Sequence, residues 1–330
     1  MGTSTTSRER LRKIIEERTV QDWIRDIGPF AMLAVLVVVF TVSSEQFLTY
    51  DNLVANVTNN SIILLLVALA GTFPILQQSI DLSTPAIVGL AGVITALLIP
   101  ELGSFALVVA VGAGGVVGGM NGIVFAKFKI PSFLATLGSM SIIEGATLLL
   151  TDGSSVPFRA PSVRTITNAE LLFGIPNLVL WGLLTYFIVV FIARQTTFGR
   201  FCYALGESEK VAELSGVKVD RYKIGAFVIS GLLCGIAGAL LATRISSASA
   251  SMSDGLLLQS IAAIVMGGTA LTGGVGGPHR TILGVLVIAV LQNGMNLIGI
   301  QQFVQSIILG AVVILAVAMS IDKQKIDVVK

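Results

Sequence analysis

Apolar stretches of roughly 20 residues follow one another between residues 27 and 320, separated mostly by short turns. A helix of about 20 residues rises about 30 Å, the thickness of a bilayer's hydrocarbon core. Ten such segments are predicted, at 27–43, 58–77, 85–99, 104–126, 132–151, 176–194, 222–243, 259–272, 280–298 and 303–320. The third and eighth are short for a full crossing, and a broken or re-entrant helix would suit either. The fold class is therefore all-α: a polytopic integral membrane protein with about ten transmembrane helices. Composition agrees, because 54% of the 330 residues are hydrophobic and only 12% charged, a balance no water-soluble domain could hide.

Charge placement orients this map. With the N-terminus in the cytoplasm and the spans alternating, 18 of the 21 Lys and Arg residues fall inside. Only Arg159, Arg164 and Arg244 fall outside. Both termini are then cytoplasmic. The chain divides into a polar N-terminal segment 1–26, one membrane domain 27–320 and a tail 321–330. The first apolar core has the length of a signal-peptide h-region. A long segment precedes it and no A-x-A site follows, so it reads as an uncleaved span, with Trp23 and Tyr50 at its interfaces. RERLRKIIEER, at 8–18, reads either as a helix on the membrane surface or as a solvated tail.

Several function classes are excluded. One histidine, His279, and two cysteines, Cys202 and Cys234, make no zinc or iron–sulfur set, and both thiols read as free. No Gly-Lys-Ser or Gly-Lys-Thr occurs, so there is no P-loop, and no Ser/His/Asp set can be assembled. No catalytic residue and no metal site is expected. A net charge of +2 does not call for a nucleic-acid partner.

The informative residues are polar groups inside apolar spans, which are costly in lipid. Asp81 lies in QQSIDLSTPA. There Ser83 and Thr84 are placed to cap the third helix, with Pro85 in its first turn. Asp81 and Ser83 read either as a cap and turn or as a gate or subunit contact near the pore. Asn121, in GGMNG, and Asn293 and Asn296, in LQNGMNLIG, read either as helix–helix hydrogen bonders or as a polar path for a neutral solute. Glu144 is the one carboxylate well inside a predicted span. Glycines cluster at 112–122 and 267–277. Close packing explains either cluster, while an unwound helix end fits the second, where Pro278 follows. The largest internal loop, 195–221, is predicted to hold a short helix from 208 to 214 with Gly216 beyond its end, carrying Glu207, Glu209 and Glu213. Such a helix is either a solvated surface or a docking element.

That loop, ALGESEKVAELSGVKVDRYKI, resembles the loop of bacterial sugar-type ATP-binding-cassette (ABC) importer permeases, the ribose permease group. The likeness continues in SIDLSTPAIVGLAG, SGLLCGIAGALLATR, IAAIVMGGTALTGGVGG and LQNGMNLIGI, and runs from about residue 45 to 320. It implies a non-enzymatic permease subunit in the bacterial cytoplasmic membrane, embedded in lipid and paired with a second permease subunit. Separate ABC ATPase subunits would bind the ATP, so no cofactor belongs to this chain. A periplasmic or lipid-anchored binding protein would deliver the solute. Carried over, Glu207, Glu209, Glu213, Ser215 and Gly216 belong to a coupling helix, and Asp81, Ser83, Asn121, Asn293 and Asn296 to the path or its gate. The sequence departs from the family pattern at Thr84-Pro85, Glu144, Pro278-His279 and Gln292, which leaves the solute open among pentoses, hexoses, polyols and sugar-like molecules. A related permease for branched-chain amino acids or nucleosides, or a self-sufficient carrier or channel, are the alternatives.

Overall fold

The computed structural model describes residues 20–172 and 175–320. The segment expected as a surface helix at 8–18 and the tail 321–330 lie outside them, as does the side chain of Trp23. The helices are α1 (Val20–Ser43), α2 (Asn59–Leu76), α3 (Thr84–Leu102), α4 (Phe105–Phe128), α5 (Ser132–Thr151), α6 (Pro161–Asn168) and α7 (Asn177–Gln195). They continue with α8 (Thr197–Glu207), α9 (Glu209–Leu214), α10 (Val219–Ile245), α11 (Leu256–Met266), α12 (Pro278–Leu297) and α13 (Gln302–Ser320). A π-helical turn, Asn52–Thr58, leads into α2. Two small antiparallel pairings complete the chain, β1 (Val156–Pro157) with β4 (Ser247–Ala248) and β2 (Glu170–Leu172) with β3 (Ile175–Pro176). Among the described residues, eight helical stretches are long and apolar enough to cross a membrane.

The middle of the bundle is α10, which packs against α2, α3 and α4. Glycine makes that closeness possible. A Cβ on Gly118 would overlap the carbonyl of Phe227, and one on Gly231 would overlap that of Gly114, so α4 and α10 touch backbone to backbone. The first glycine cluster is therefore packing. The bundle's outer surface is apolar instead, with Val38, Ile142, Leu149, Phe187 and Ile314 all exposed, as lipid contact requires.

The bundle has two unlike ends. One, the basic end, carries Lys127, Lys223 and Arg280, paired with Asp220 (2.9 Å), Glu209 (2.7 Å) and Asp26 (2.8 Å). The other holds α6, the strand pairs and Arg244, whose guanidinium bonds Asn60 on α2 while Asn168 donates to its carbonyl.

Of the two segments that read as short, one crosses in full and the other is broken. The third segment is a full helix, α3, of 19 residues. The eighth, expected at 259–272, is a helix of only 11 residues ending at Met266, and 267–277 is loop. Eleven residues rise only about 16 Å, half a hydrocarbon core. Residues 246–255 supply the other half by descending along α3. Ala248 packs with Val93 and Ala96, the carbonyl of Ala250 meets Gly89, and Ser253 Oγ donates to the carbonyl of Pro85 at 2.7 Å. A second non-helical segment, 77–83, precedes α3, so the two breaks meet at the start of that helix.

A non-helical backbone inside a membrane must find partners for its N–H groups. The first turns of α5 provide them for 77–83. Ile80 N donates to Ser132 Oγ and Leu82 N to Thr136 Oγ1, each at 3.0 Å. Ser132 and Thr136 stand one turn apart on α5, so both hydroxyls reach the break from one face of that helix.

Candidate functional site

Asp81, Ser83 and Asn121 come together although Asn121 lies on another helix. Asn121 Nδ2 donates to Ser83 Oγ at 2.8 Å, and Ser83 Oγ donates to Asp81 Oδ1 at 2.6 Å. The Ser83 amide adds a bond to the same oxygen at 3.0 Å, and Ser230 Oγ on α10 donates to Oδ2 at 2.7 Å. All four residues are buried. Ser83 is the N-cap residue of α3 and Pro85 is in its first turn, as the sequence predicts, but the Ser83 hydroxyl turns to Asp81 instead of accepting from the helix. Asp81 thus joins α3 and α10 at the break, and the positive end of the α3 dipole faces its charge. Ser230 was not legible from sequence, because nothing in an apolar helix marks one hydroxyl as the partner of a residue so far away.

Asn293 and Asn296 sit elsewhere, on α12. Asn296 Oδ1 accepts from Gln305 Nε2 of α13 at 2.7 Å, a helix–helix bond. Asn293 is buried, its Nδ2 has no hydrogen-bond partner among the described residues, and Gly294 beside it lies against the Phe40 ring of α1.

At the basic end the loop 195–221 is more ordered than its sequence implies. Besides α9, with Ser208 as N-cap and Gly216 at φ +84°, it contains α8, capped by the Thr196 hydroxyl accepting from Gly199 N at 3.3 Å. Glu207 therefore belongs to α8 and does not ride on the short helix as expected. Glu207, Glu209, Glu213, Ser215 and Gly216 are all exposed. Glu209 is held by Lys223. Val211 and Leu214 also face outward, at 62% and 79% exposure, and charge-based reading overlooked them. The available signal was two apolar residues three apart in a short charged helix.

Behind α9 lies a backbone junction. Gly274 N donates to the carbonyl of Leu76 at 3.0 Å, Gln78 Nε2 to that of Gly206 at 2.8 Å, and the Tyr203 hydroxyl to that of Gly276 at 2.9 Å. A Cβ on Gly206 would overlap both the Leu76 carbonyl and the Gly274 amide. Gly273, Gly274, Gly276 and Gly277 all have positive φ, so the second cluster is a glycine turn. The end of α2, the end of α8 and the loop after α11 are thus locked at one place, a few residues from Asp81. Gln77 Nε2 also donates to Cys202 Sγ at 2.9 Å, and burial pushes that thiol up to about 12, the Gln77 bond opposing. Both cysteines are free and buried. Among the described residues no group of His, Cys, Asp and Glu is placed to hold a metal ion. At the opposite end a cavity of about 730 Å³ opens beside Phe158, Arg159, Pro161, Arg164 and Ser246.

Residues 53–317 match the family model described as branched-chain amino acid transport system / permease component. The chain belongs to this permease family. It is 35% identical to the ribose import permease protein RbsC of Bacillus subtilis (strain 168), over 92% of this chain and 94% of that protein. The probable ABC transporter permease protein YphD of Escherichia coli (strain K12) is 34% identical over 97% of each chain. The D-allose transport system permease protein AlsC of the same organism is 33% identical over 88% of this chain and 90% of its own. No solved structure matches this chain. The chain is thus a multi-pass permease component of ABC-transporter type, a non-catalytic role, which agrees with its apolar helices.

Proposed function

We propose that this chain is the membrane permease of a binding-protein-dependent ABC importer for a sugar or sugar-like solute. A separate ATPase docks on α8 and α9. The observation that carries the coupling assignment is the pair Val211 and Leu214, held outward at the basic end on a helix tied back by Glu209 and Lys223. The positive-inside rule makes that end cytoplasmic. Apolar side chains exposed to water on a membrane protein's cytoplasmic end are a contact surface in need of a partner. The family description names branched-chain amino acids, but two of the three relatives just named are permeases for ribose and allose, which favours the sugar branch.

Coupling runs through the glycine junction. A push on α9 moves α8, which shares backbone contacts with the end of α2 and with the loop after α11. Both connect to the broken segments that meet at Pro85. ATP and the delivered solute would each favour one of two arrangements of those breaks, with Asp81 fastening α3 to α10 in the arrangement seen here. The opposite end, with exposed Arg159 and Arg164, faces the binding protein. A second permease subunit completes the path.

The test is purification of the tagged protein from its own cells in mild detergent. Recovery of an ATPase together with a binding protein that takes up a sugar supports the reading. Solute flux in liposomes without any ATPase sinks it.

A further inference from the structure

Asp81, just before α3, and Glu144, within α5, are two carboxylates with opposite surroundings. Asp81 accepts three hydrogen bonds and is buried. Glu144, in α5, has no hydrogen bond or ion pair among the described residues and is half-exposed. It lies about 18 Å from the start of α5 and about 10 Å from its end at 1.5 Å per residue, farther from either than its side chain can span. Packing within this chain leaves it there, because α5 turns Ser132, Thr136, Ile143, Thr147 and Thr151 toward the bundle while Glu144 and Ser141 lie outside that face. Ser141, three positions earlier and so on the same side as Glu144, is exposed, and Gly145 has open space where a Cβ would stand. A charged side chain near the bilayer centre is costly when it faces acyl chains, a cost that water removes.

We propose that Glu144 and Ser141 form a solute-binding position on the wall of a water-filled translocation path, with the second permease subunit as the opposite wall. No described element of this chain covers that side of α5. A carboxylate accepts hydroxyl protons at both oxygens, and charge-assisted bonds of this kind are stronger than neutral ones. With a hydroxyl one turn away, the position fits a neutral polyhydroxylated solute, a class that rests on the proposed function.

The first experiment reads water, not transport. Cys202 and Cys234 are buried and give a quiet background. Ser141→Cys and Glu144→Cys, in native membranes, are treated with a charged methanethiosulfonate reagent beside Phe187→Cys on the lipid-facing side of α7. Modification at least tenfold faster at 141 and 144 is expected. Rates at both as slow as at 187 overturn the path assignment. The second experiment is sugar uptake by Glu144→Gln and Glu144→Leu, with ATPase co-purification as the assembly control. The glutamine variant is expected to keep most uptake and the leucine variant to lose at least tenfold. Normal uptake by the leucine variant overturns the binding role, and equal loss in both variants overturns the neutral solute class. Rapid labelling in a protein that moves no sugar would defeat the proposed function while leaving the path in place.

Discussion

Asp81 shows how one side chain holds a break in the membrane. Leucine there would leave the Ser83 amide and the hydroxyls of Ser83 and Ser230 without an acceptor, at roughly 1–3 kcal/mol for each buried group. Asp81→Leu is expected to lower the detergent melting temperature markedly and Asp81→Asn less, since an amide keeps one acceptor oxygen. Equal melting of both variants and the parent would remove the fastening role. Cys202 gives a prediction about pH. Its folded value of about 12 lies above the ordinary thiol value of 9.0, so the folded state holds its proton where the unfolded chain has lost it. The stability this contributes is complete below about 9 and declines as pH rises toward 12. N-ethylmaleimide at pH 7 should leave Cys202 unmodified in the folded protein and react after denaturation, as mass spectrometry would show.

Between elements, the predictions concern α8, α9 and the glycine turn. Val211→Asp with Leu214→Asp should cut ATPase co-purification at least tenfold, since burying one such side chain is worth about 1.5–3 kcal/mol and tenfold in affinity is about 1.4 kcal/mol. The permease itself should stay monodisperse, because both side chains are exposed. Glu209→Lys with Glu213→Lys should weaken docking as well, by freeing α9 from Lys223. Gly206→Val should damage assembly or uncouple ATP hydrolysis from uptake, since no Cβ fits between Leu76 and Gly274. Full coupled transport by that variant would show that the junction is not the route. How much of these elements the sequence reveals depends on range. Ser208, the short helix and Gly216 obey local capping rules and are legible. The helix α8 is not legible, because TTFGRFCYALGE carries glycines at 199 and 206 that read as loop, yet each fits a place where another backbone approaches. The turn-rich lead to α11, residues 246–255, is not legible either, because a half-length helix and a short apolar run look alike.

For the whole molecule, sidedness is the prediction to check. A cysteine in place of Arg164 should react with an impermeant maleimide in cells whose cytoplasmic membrane is intact, and one in place of Lys210 only after lysis. The reverse pattern would invert the topology and strip α9 of its ATPase. Residue chemistry alone determined that this chain is a bundle of membrane helices, because the balance of apolar and charged residues and the length of the spans act locally and add up. It also determined which end is basic, since each loop keeps its own charges wherever the helices pack. The tertiary structure alone decided which polar residues meet. Asp81 with Ser230, Ser132 and Thr136 with the break before α3, and Gly206 with Leu76 and Gly274 are pairings between distant positions. They form because buried polar groups need partners and backbones approach only where no side chain intervenes, and one linear sequence does not say which surfaces will face each other.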